Sequence, residues 1–360
     1  MINVTKTLLP PKESLNNYIN RIYSSGWITN NGELVNELEK RLCEKLGVEN
    51  LLLVANGTLA LQVAYKVFKL KGDVITSPFS FVATTSSLVW ENLNPVFADI
   101  DPGTFNIDPD IVKSSITHNT SAVLPVHVFG NPCDVIKIEQ ICHENGLRLI
   151  FDAAHAFGVN FDGRSILNFG DASILSFHAT KIFHTIEGGA IIFREKKDYD
   201  QAKMMINFGI ADYDKVDILG INCKMNEFQA AMGLSVLDGF ETAMSYRKQV
   251  WERYFNAFEN SENVTLQGLK NGCSKNYSYF PVVFRNEEIL KGLVAAMKRD
   301  DIFPRRYFYP SLNTLNYLPE YHECKNSESL ASRILCLPIY TGLGKNDQDR
   351  IIRIIKEYKY

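Results

Sequence analysis

Between residues 51 and 193 short apolar runs alternate with stretches of helical spacing, and this restricts the fold more than any other feature. The runs lie at 51–54, 74–76, 96–98, 122–124, 147–151, 172–175 and 190–193. Each is too short for a helix and is bounded by turn residues, so each is predicted to be a strand. Helical spacing is read at 58–70, 82–90, 109–115 and 135–144 between them, and at 15–23 and 33–46 before them. Alternation of this kind predicts an α/β fold, with a mostly parallel sheet covered by helices on both faces. A ligand site is then expected beyond the carboxyl ends of the strands.

The pattern changes near Glu227. Residues 227–255 read as one long, nearly uninterrupted helix, 277–284 as an aromatic alternating strand, and 289–299 and 348–358 as helices. A large domain over 1–245 and a smaller C-terminal α+β domain over 246–360 are expected.

Composition removes several function classes. The net charge of −3 offers no general field for nucleic acid. No apolar stretch approaches the roughly 18–20 residues that span a bilayer. The first residues lack a charged segment followed by an apolar one, so a cytoplasmic protein is expected. The seven cysteines are odd in number, with no C-x-x-C pair, which favours reduced thiols. The histidines show no H-x-x-x-H spacing, so no metal site is expected.

Two residues point to a specific chemistry. Asp152 ends the run at 147–151, and Lys181 follows the run at 172–175 within Ser176-Phe177-His178-Ala179-Thr180-Lys181. A lysine and a carboxylate at the ends of neighbouring strands are the pair that pyridoxal 5'-phosphate (PLP) requires. The amine bonds the cofactor's aldehyde carbon, and the carboxylate keeps a proton on the ring nitrogen so that the ring accepts electrons. The usual fate of a lysine is a solvated loop. Lys181 instead sits among small and apolar residues, before Glu187-Gly188-Gly189, where desolvation would leave a nucleophilic amine.

Further candidates surround this pair. Asn56-Gly57-Thr58 lies between a strand and a helix, where backbone N–H groups and the helix dipole favour a phosphate. Taken alone, that segment reads as an ordinary capped turn. Ser176 is a second phosphate candidate. Phe81 follows a strand and could stack on a pyridine ring. His155 could reach the ring hydroxyl or the phosphate, or simply line the pocket.

Several segments, in order, carry a resemblance. They include Trp27-Ile28-Thr29-Asn30-Asn31-Gly32, Ala55-Asn56-Gly57-Thr58-Leu59-Ala60-Leu61 and Pro78-Phe79-Ser80-Phe81-Val82-Ala83-Thr84. Asp152-Ala153-Ala154-His155, the Lys181 segment, Gly220 to Ala231 and Leu335-Cys336-Leu337-Pro338-Ile339-Tyr340 continue the series. Together they resemble the sugar-nucleotide aminotransferases of the DegT/StrS type, within the fold type I PLP-dependent enzymes. The resemblance implies that Lys181 is catalytic and bonds the cofactor, with Asp152 at the ring nitrogen and Phe81 on the ring. It implies Gly57, Thr58 and Ser176 on the phosphate and His155 beside the ring. Asn222 would reach the cofactor phosphate of a neighbouring subunit, which implies a homodimer with shared sites. Trp27, Thr29, Asn30, His184, Lys224 and Tyr309 would contact the substrate.

Three positions depart from the family pattern. His155 replaces a frequent glutamine, Lys224 replaces a frequent arginine, and Tyr309-Pro310-Ser311-Leu312-Asn313 lacks a frequent histidine. The lysine segment is most similar to that of members that aminate C4 of a dTDP-linked 4-keto-6-deoxyhexose, with L-glutamate as donor. Amination at C3 and a UDP-linked sugar are the alternatives. Sugar dehydratases of this fold replace the lysine with histidine, which Lys181 argues against. A PLP-binding regulator would need an output module such as a helix-turn-helix, and none is evident.

Overall fold

The computed structural model describes residues 1–359, and its centre is a seven-stranded sheet. The strands are β1 (Asn50–Val54), β2 (Asp73–Thr76), β3 (Asn94–Phe97), β4 (Thr120–Leu124), β5 (Arg148–Asp152), β6 (Ala172–Ser176) and β7 (Gly189–Phe193). Their spatial order is β1-β7-β6-β5-β4-β2-β3. All neighbours are parallel except β7, which runs antiparallel to both β1 and β6. Every apolar run read in the sequence is one of these strands.

Side chains along a strand point alternately to opposite faces. Leu51, Leu53, Leu149, Phe151, Leu175 and Ile192 therefore enter one core, and Leu52, Val54, Ile150, Ile174, Ile191 and Phe193 enter the other. The runs are continuously apolar because neither face meets water. Helices α1 (Lys12–Ser25), α2 (Glu33–Leu46), α3 (Gly57–Val67), α4 (Ala83–Trp90), α5 (Pro109–Ser114), α6 (Val135–Asn145) and α7 (Lys196–Met205) supply the layers. Apolar side chains of α2 and α6 pack in the first core, and those of α3, α4 and α7 in the second.

Three expectations are corrected. The long helix expected over 227–255 is two, α8 (Glu227–Asp238) and α9 (Phe240–Phe258), parted where Gly239 leaves helical geometry at φ −98° and ψ 4°. The strand expected over 277–284 is laddered only at Pro281–Val283. The carbonyls of Tyr277 and Ser278 accept instead from the Arg247 guanidinium, and Tyr277 lies at φ 53°. Helix α3 stops at Val67, because Lys69 takes a left-handed φ of 53°. Helix α7 carries no apolar spacing in the sequence because it is polar almost throughout and buries only Ala202 and Met205.

A further apolar cluster gathers Val250, Tyr254 and Phe258 of α9 with α10 (Glu287–Arg299), α11 (Lys325–Arg333) lying nearby and α12 (Lys345–Glu357) closing it. Ile2 joins this cluster, and Ile2–Asn3 pairs in parallel with Ile302–Phe303. Among the described residues no helix is long and apolar enough to cross a membrane.

Candidate active site

The parallel strands deliver their carboxyl ends to one edge of the sheet. Asp152 closes β5, Ser176 closes β6, and Asn56-Gly57 follows β1 into α3. Because β7 is antiparallel, its first residue, Gly189, lies at that same edge, paired with both Ser176 and Val54. A cavity of about 350 Å³ opens there. Gly57, Thr58, Phe81, Asp152, His155, Ser176 and Lys181 all line it. The opposite wall comes from the C-terminal part: Tyr279, Arg305, Tyr307 and Phe308.

Asp152 is buried, and its carboxylate is fixed at both oxygens. Thr84 Oγ1 donates to Oδ2 at 2.8 Å, and the Ala154 N–H donates to Oδ1 at 3.1 Å. Thr84 is itself paired with Ser80 Oγ at 2.7 Å. Burial pushes the Asp152 carboxyl up, against the hydrogen bonds and the positive charge of Lys181. A buried carboxylate aimed into a cavity is stabilised by a cation there, and a protonated ring nitrogen is such a cation. Lys181 is half-buried in the wall, and burial lowers its amine to about 8, with Asp152 opposing. An amine so lowered is available as a nucleophile and base near neutral pH.

The start of α3 could cradle a phosphate. Asn56 caps the helix, its side chain accepting from the Leu59 N–H at 2.9 Å, and its carbonyl accepts from the Ala60 N–H. Among the described residues, that leaves the first two N–H groups, of Gly57 and Thr58, unclaimed at the cavity. They meet the positive helix end that a phosphate prefers. The capped turn and an anion-binding helix end are thus compatible in one structure. Close packing makes it possible: a Cβ on Gly189 would lie 2.8 Å from the backbone of Asn56 and Gly57. Gly189→Ala is therefore expected to push the cradle outward, costing about 1–3 kcal/mol of stability. Cofactor retention should fall with it, as measured by equilibrium dialysis; unchanged retention would contradict this cradle.

Phe81 leaves 49% of its surface open, a large ring bared at the rim of the cavity. His155 is buried and packs against Phe308 and Phe129, and its Nδ1 accepts from the Phe129 N–H at 3.3 Å. Burial holds the ring neutral. Its one proton is then on Nε2, and no protein acceptor takes it among the described residues. A PLP molecule therefore finds an amine, a carboxylate, an anion-binding helix end, a flat apolar ring and a spare N–H around one cavity of suitable size.

Not all expected residues gather there. His184 does not line the cavity. It is buried, its Nε2 pairs with the Leu8 carbonyl at 2.7 Å, and its Nδ1 accepts from the Ile186 N–H. Its ring props a turn in which Ile186 adopts φ 72°, a strained geometry for a β-branched residue. Trp27, Thr29, Asn30 and Asn222 are exposed away from the cavity of their own chain. Lys224 donates to Asn207 Oδ1 at 2.8 Å and lies over the Phe208 ring. Tyr309 faces outward, with the Arg306 guanidinium 3.5 Å from its ring centre.

Other residues line or support the cavity without having been singled out: Thr84, Tyr279, Arg305, Tyr307 and Phe308. Thr84 lies within the Pro78-to-Thr84 segment, one helical turn after Phe81, and that spacing could have found it.

Comparison with known proteins is consistent across the chain. The sequence pattern of the DegT/DnrJ/EryC1/StrS aminotransferase family matches residues 11–356. A protein of Shigella dysenteriae named dTDP-4-amino-4,6-dideoxy-D-glucose transaminase is 42% identical over 363 residues, covering 99% of each chain. One of the same name from Escherichia coli is 38% identical over 365 residues, covering 98% of each. The crystal structure of DesI, determined in the presence of its TDP-sugar product, superposes with a TM-score of 0.93 at 33% identity. It covers 99% of this chain and 92% of that one.

Proposed function

We propose, from the premise that this chain belongs to the DegT/DnrJ/EryC1/StrS aminotransferase family and is a PLP-dependent transaminase, that it aminates C4 of a dTDP-linked 4-keto-6-deoxyhexose. L-Glutamate is the donor, and the products are dTDP-4-amino-4,6-dideoxy-D-glucose (dTDP-viosamine) and 2-oxoglutarate. The observation that carries this reading is the near full-length identity of 42% to the Shigella transaminase.

When bound, PLP supplies an electron sink that makes the donor Cα–H acidic and takes up its nitrogen. In this reading Asp152 holds the proton on the ring nitrogen, and Thr84 and the Ala154 N–H keep that carboxylate aimed. Gly57, Thr58 and Ser176 hold the phosphate. Phe81 covers one ring face and keeps water from it, and His155 offers its Nε2–H to an oxygen of the ring. Lys181 Nζ takes the proton from the donor Cα, and in the second half-reaction it delivers one to the sugar C4. Two half-reactions at one site give ping-pong kinetics.

Residues remote from their own cavity fit a homodimer with shared sites. Trp27, Ile28, Phe208, Ile210, Leu219 and Ile221 are exposed apolar side chains, and a second copy would cover them. Asn222, Trp27, Thr29, Asn30 and Lys224 would then serve the neighbouring cavity, and Tyr309 would meet the sugar nucleotide at the rim. The chain would divide into units 1–245 and 246–360. We place the enzyme in the cytoplasm, its product feeding a cell-surface glycan such as the O-antigen of lipopolysaccharide.

A panel of dTDP- and UDP-linked 3-keto and 4-keto sugars with glutamate tests this. Product mass, the carbon bearing nitrogen and 2-oxoglutarate release are read together. The 4-keto dTDP sugar should be preferred by at least about 10-fold in kcat/KM. Preference for a UDP sugar, or nitrogen at C3, would overturn the assignment.

A further inference from the structure

Lys181 has a neighbour in the cavity wall that the chemistry above leaves without a role. Its Nζ donates to the Tyr279 hydroxyl at 3.4 Å, and lies 6.0 Å from the centre of that ring. Lys181 comes from the loop after β6, whereas Tyr279 comes from the segment leading into Pro281–Val283. The C-terminal part thus brings a hydroxyl to the reactive amine.

That segment is tied down more firmly than a connecting stretch requires. Arg247 is buried in α9 and donates to the carbonyls of Tyr277 at 3.1 Å and Ser278 at 2.7 Å. Asn276 donates to the carbonyls of His155 at 2.7 Å and Phe157 at 3.1 Å, fastening the segment to the loop after Asp152. The Tyr279 ring packs 4.8 Å from His155 and 5.2 Å from Phe129. The position of its oxygen is therefore set from both sides of the cavity. Among the described residues, Lys181 is the hydroxyl's one hydrogen-bond partner. A hydroxyl both accepts and donates, so it can receive an N–H from an ammonium or donate to the lone pair of a neutral amine.

We propose that Tyr279 is the positioning residue for Lys181, holding the ε-amine at the cavity wall whenever that amine is not bonded to the cofactor. The inference rests on the reading that Lys181 carries the proton between donor and sugar. A released lysine has four rotatable stem bonds, and without a partner its amine would spend little time at the reacting carbon. Burial keeps the phenol protonated far above its ordinary range, so the group remains a hydroxyl at working pH.

Tyr279→Phe removes the oxygen and keeps the ring, so folding should be preserved; Tyr279→Met gives a second ablation if it is not. In the glutamate half-reaction, kcat should fall about 10- to 100-fold with KM within about twofold. The decisive readout needs neither donor nor sugar. In the cofactor-free chain, Lys181 is labelled across pH by an amine-reactive reagent and its peptide is quantified by mass. The hydrogen bond favours the charged amine more than the neutral one. Its loss should therefore move the labelling midpoint to lower pH, by about half a unit or more. A lowered kcat with an unmoved midpoint would make Tyr279 a packing residue only and overturn the proposal, as would no change in either. Because the labelling involves no sugar, it stands or falls apart from the choice of substrate.

Discussion

Replacing Lys181 by alanine is expected to lower turnover by about 10⁴-fold or more, because in the proposed mechanism one side chain both bonds the cofactor and moves the proton. The visible absorbance of lysine-bound cofactor should vanish with it. Borohydride reduction should add the cofactor's mass to the Lys181 peptide of the wild type and to no peptide of Lys181→Ala. The wild-type amine should also titrate early. Burial disfavours its charged form and lowers it to about 8, from about 10.5 for an exposed lysine. The free base is then about one-tenth of the population at pH 7, against less than about one-thousandth for an ordinary lysine. The rate of cofactor attachment to the cofactor-free chain should therefore rise with pH and level off above pH 8. A rate still climbing steeply between pH 9 and 10, or normal turnover in Lys181→Ala, would remove this lysine from the mechanism.

Asp152→Asn should separate binding from chemistry. The amide has the carboxylate's shape: its oxygen can accept from the Ala154 N–H, and its nitrogen can donate to Thr84, whose hydroxyl turns toward Ser80. The fold should persist, and the visible absorbance of attached cofactor should remain. What is lost is the negative charge that, in the proposed mechanism, keeps the ring nitrogen protonated. Exchange of the glutamate Cα hydrogen with deuterated solvent should slow by about 10²–10⁴-fold, and turnover with it. Exchange at the wild-type rate would mean that some other group supplies that charge. The pair of variants is diagnostic together: Lys181→Ala loses the absorbance of lysine-bound cofactor and the exchange, whereas Asp152→Asn keeps the first and loses the second.

The sheet was legible because burial on both faces leaves a local mark, a short run with almost no polar residue, at each of β1 to β7. The residues at the strand ends were legible for the same reason: once a strand is located, its carboxyl end is located. Asp152, Ser176, Gly57 and Lys181 all stand at such ends. Tyr279, Arg305, Tyr307 and Phe308 stand at none of them. They reach the cavity through long-range packing of the C-terminal part, which no spacing within their own segments encodes. His184 stands apart from its neighbours in sequence, which line the cavity, because its own ring turns inward to support the loop. Trp27, Thr29, Asn30, Asn222 and Lys224 lie outside the cavity of their own chain, and only in the proposed homodimer would they serve a site. The break at Gly239 was hidden because apolar spacing continues across it from α8 into α9.

The reversed direction of β7 bears on how the lysine is tethered. The chain leaves the sheet at Ser176 and returns at Gly189, and these two residues are paired in register. Residues 177–188 therefore form an excursion whose two feet stand side by side on one rim, with no crossing over the sheet. A parallel seventh strand would have forced the chain to travel the length of the sheet before re-entering. Here the excursion closes on itself, the Phe177 N–H donating to the Gly188 carbonyl and the Thr185 N–H to the Phe177 carbonyl. Lys181, close to the outgoing foot, stays on a short leash, while Phe183, His184 and Thr185 on the far side are buried and hold the loop down.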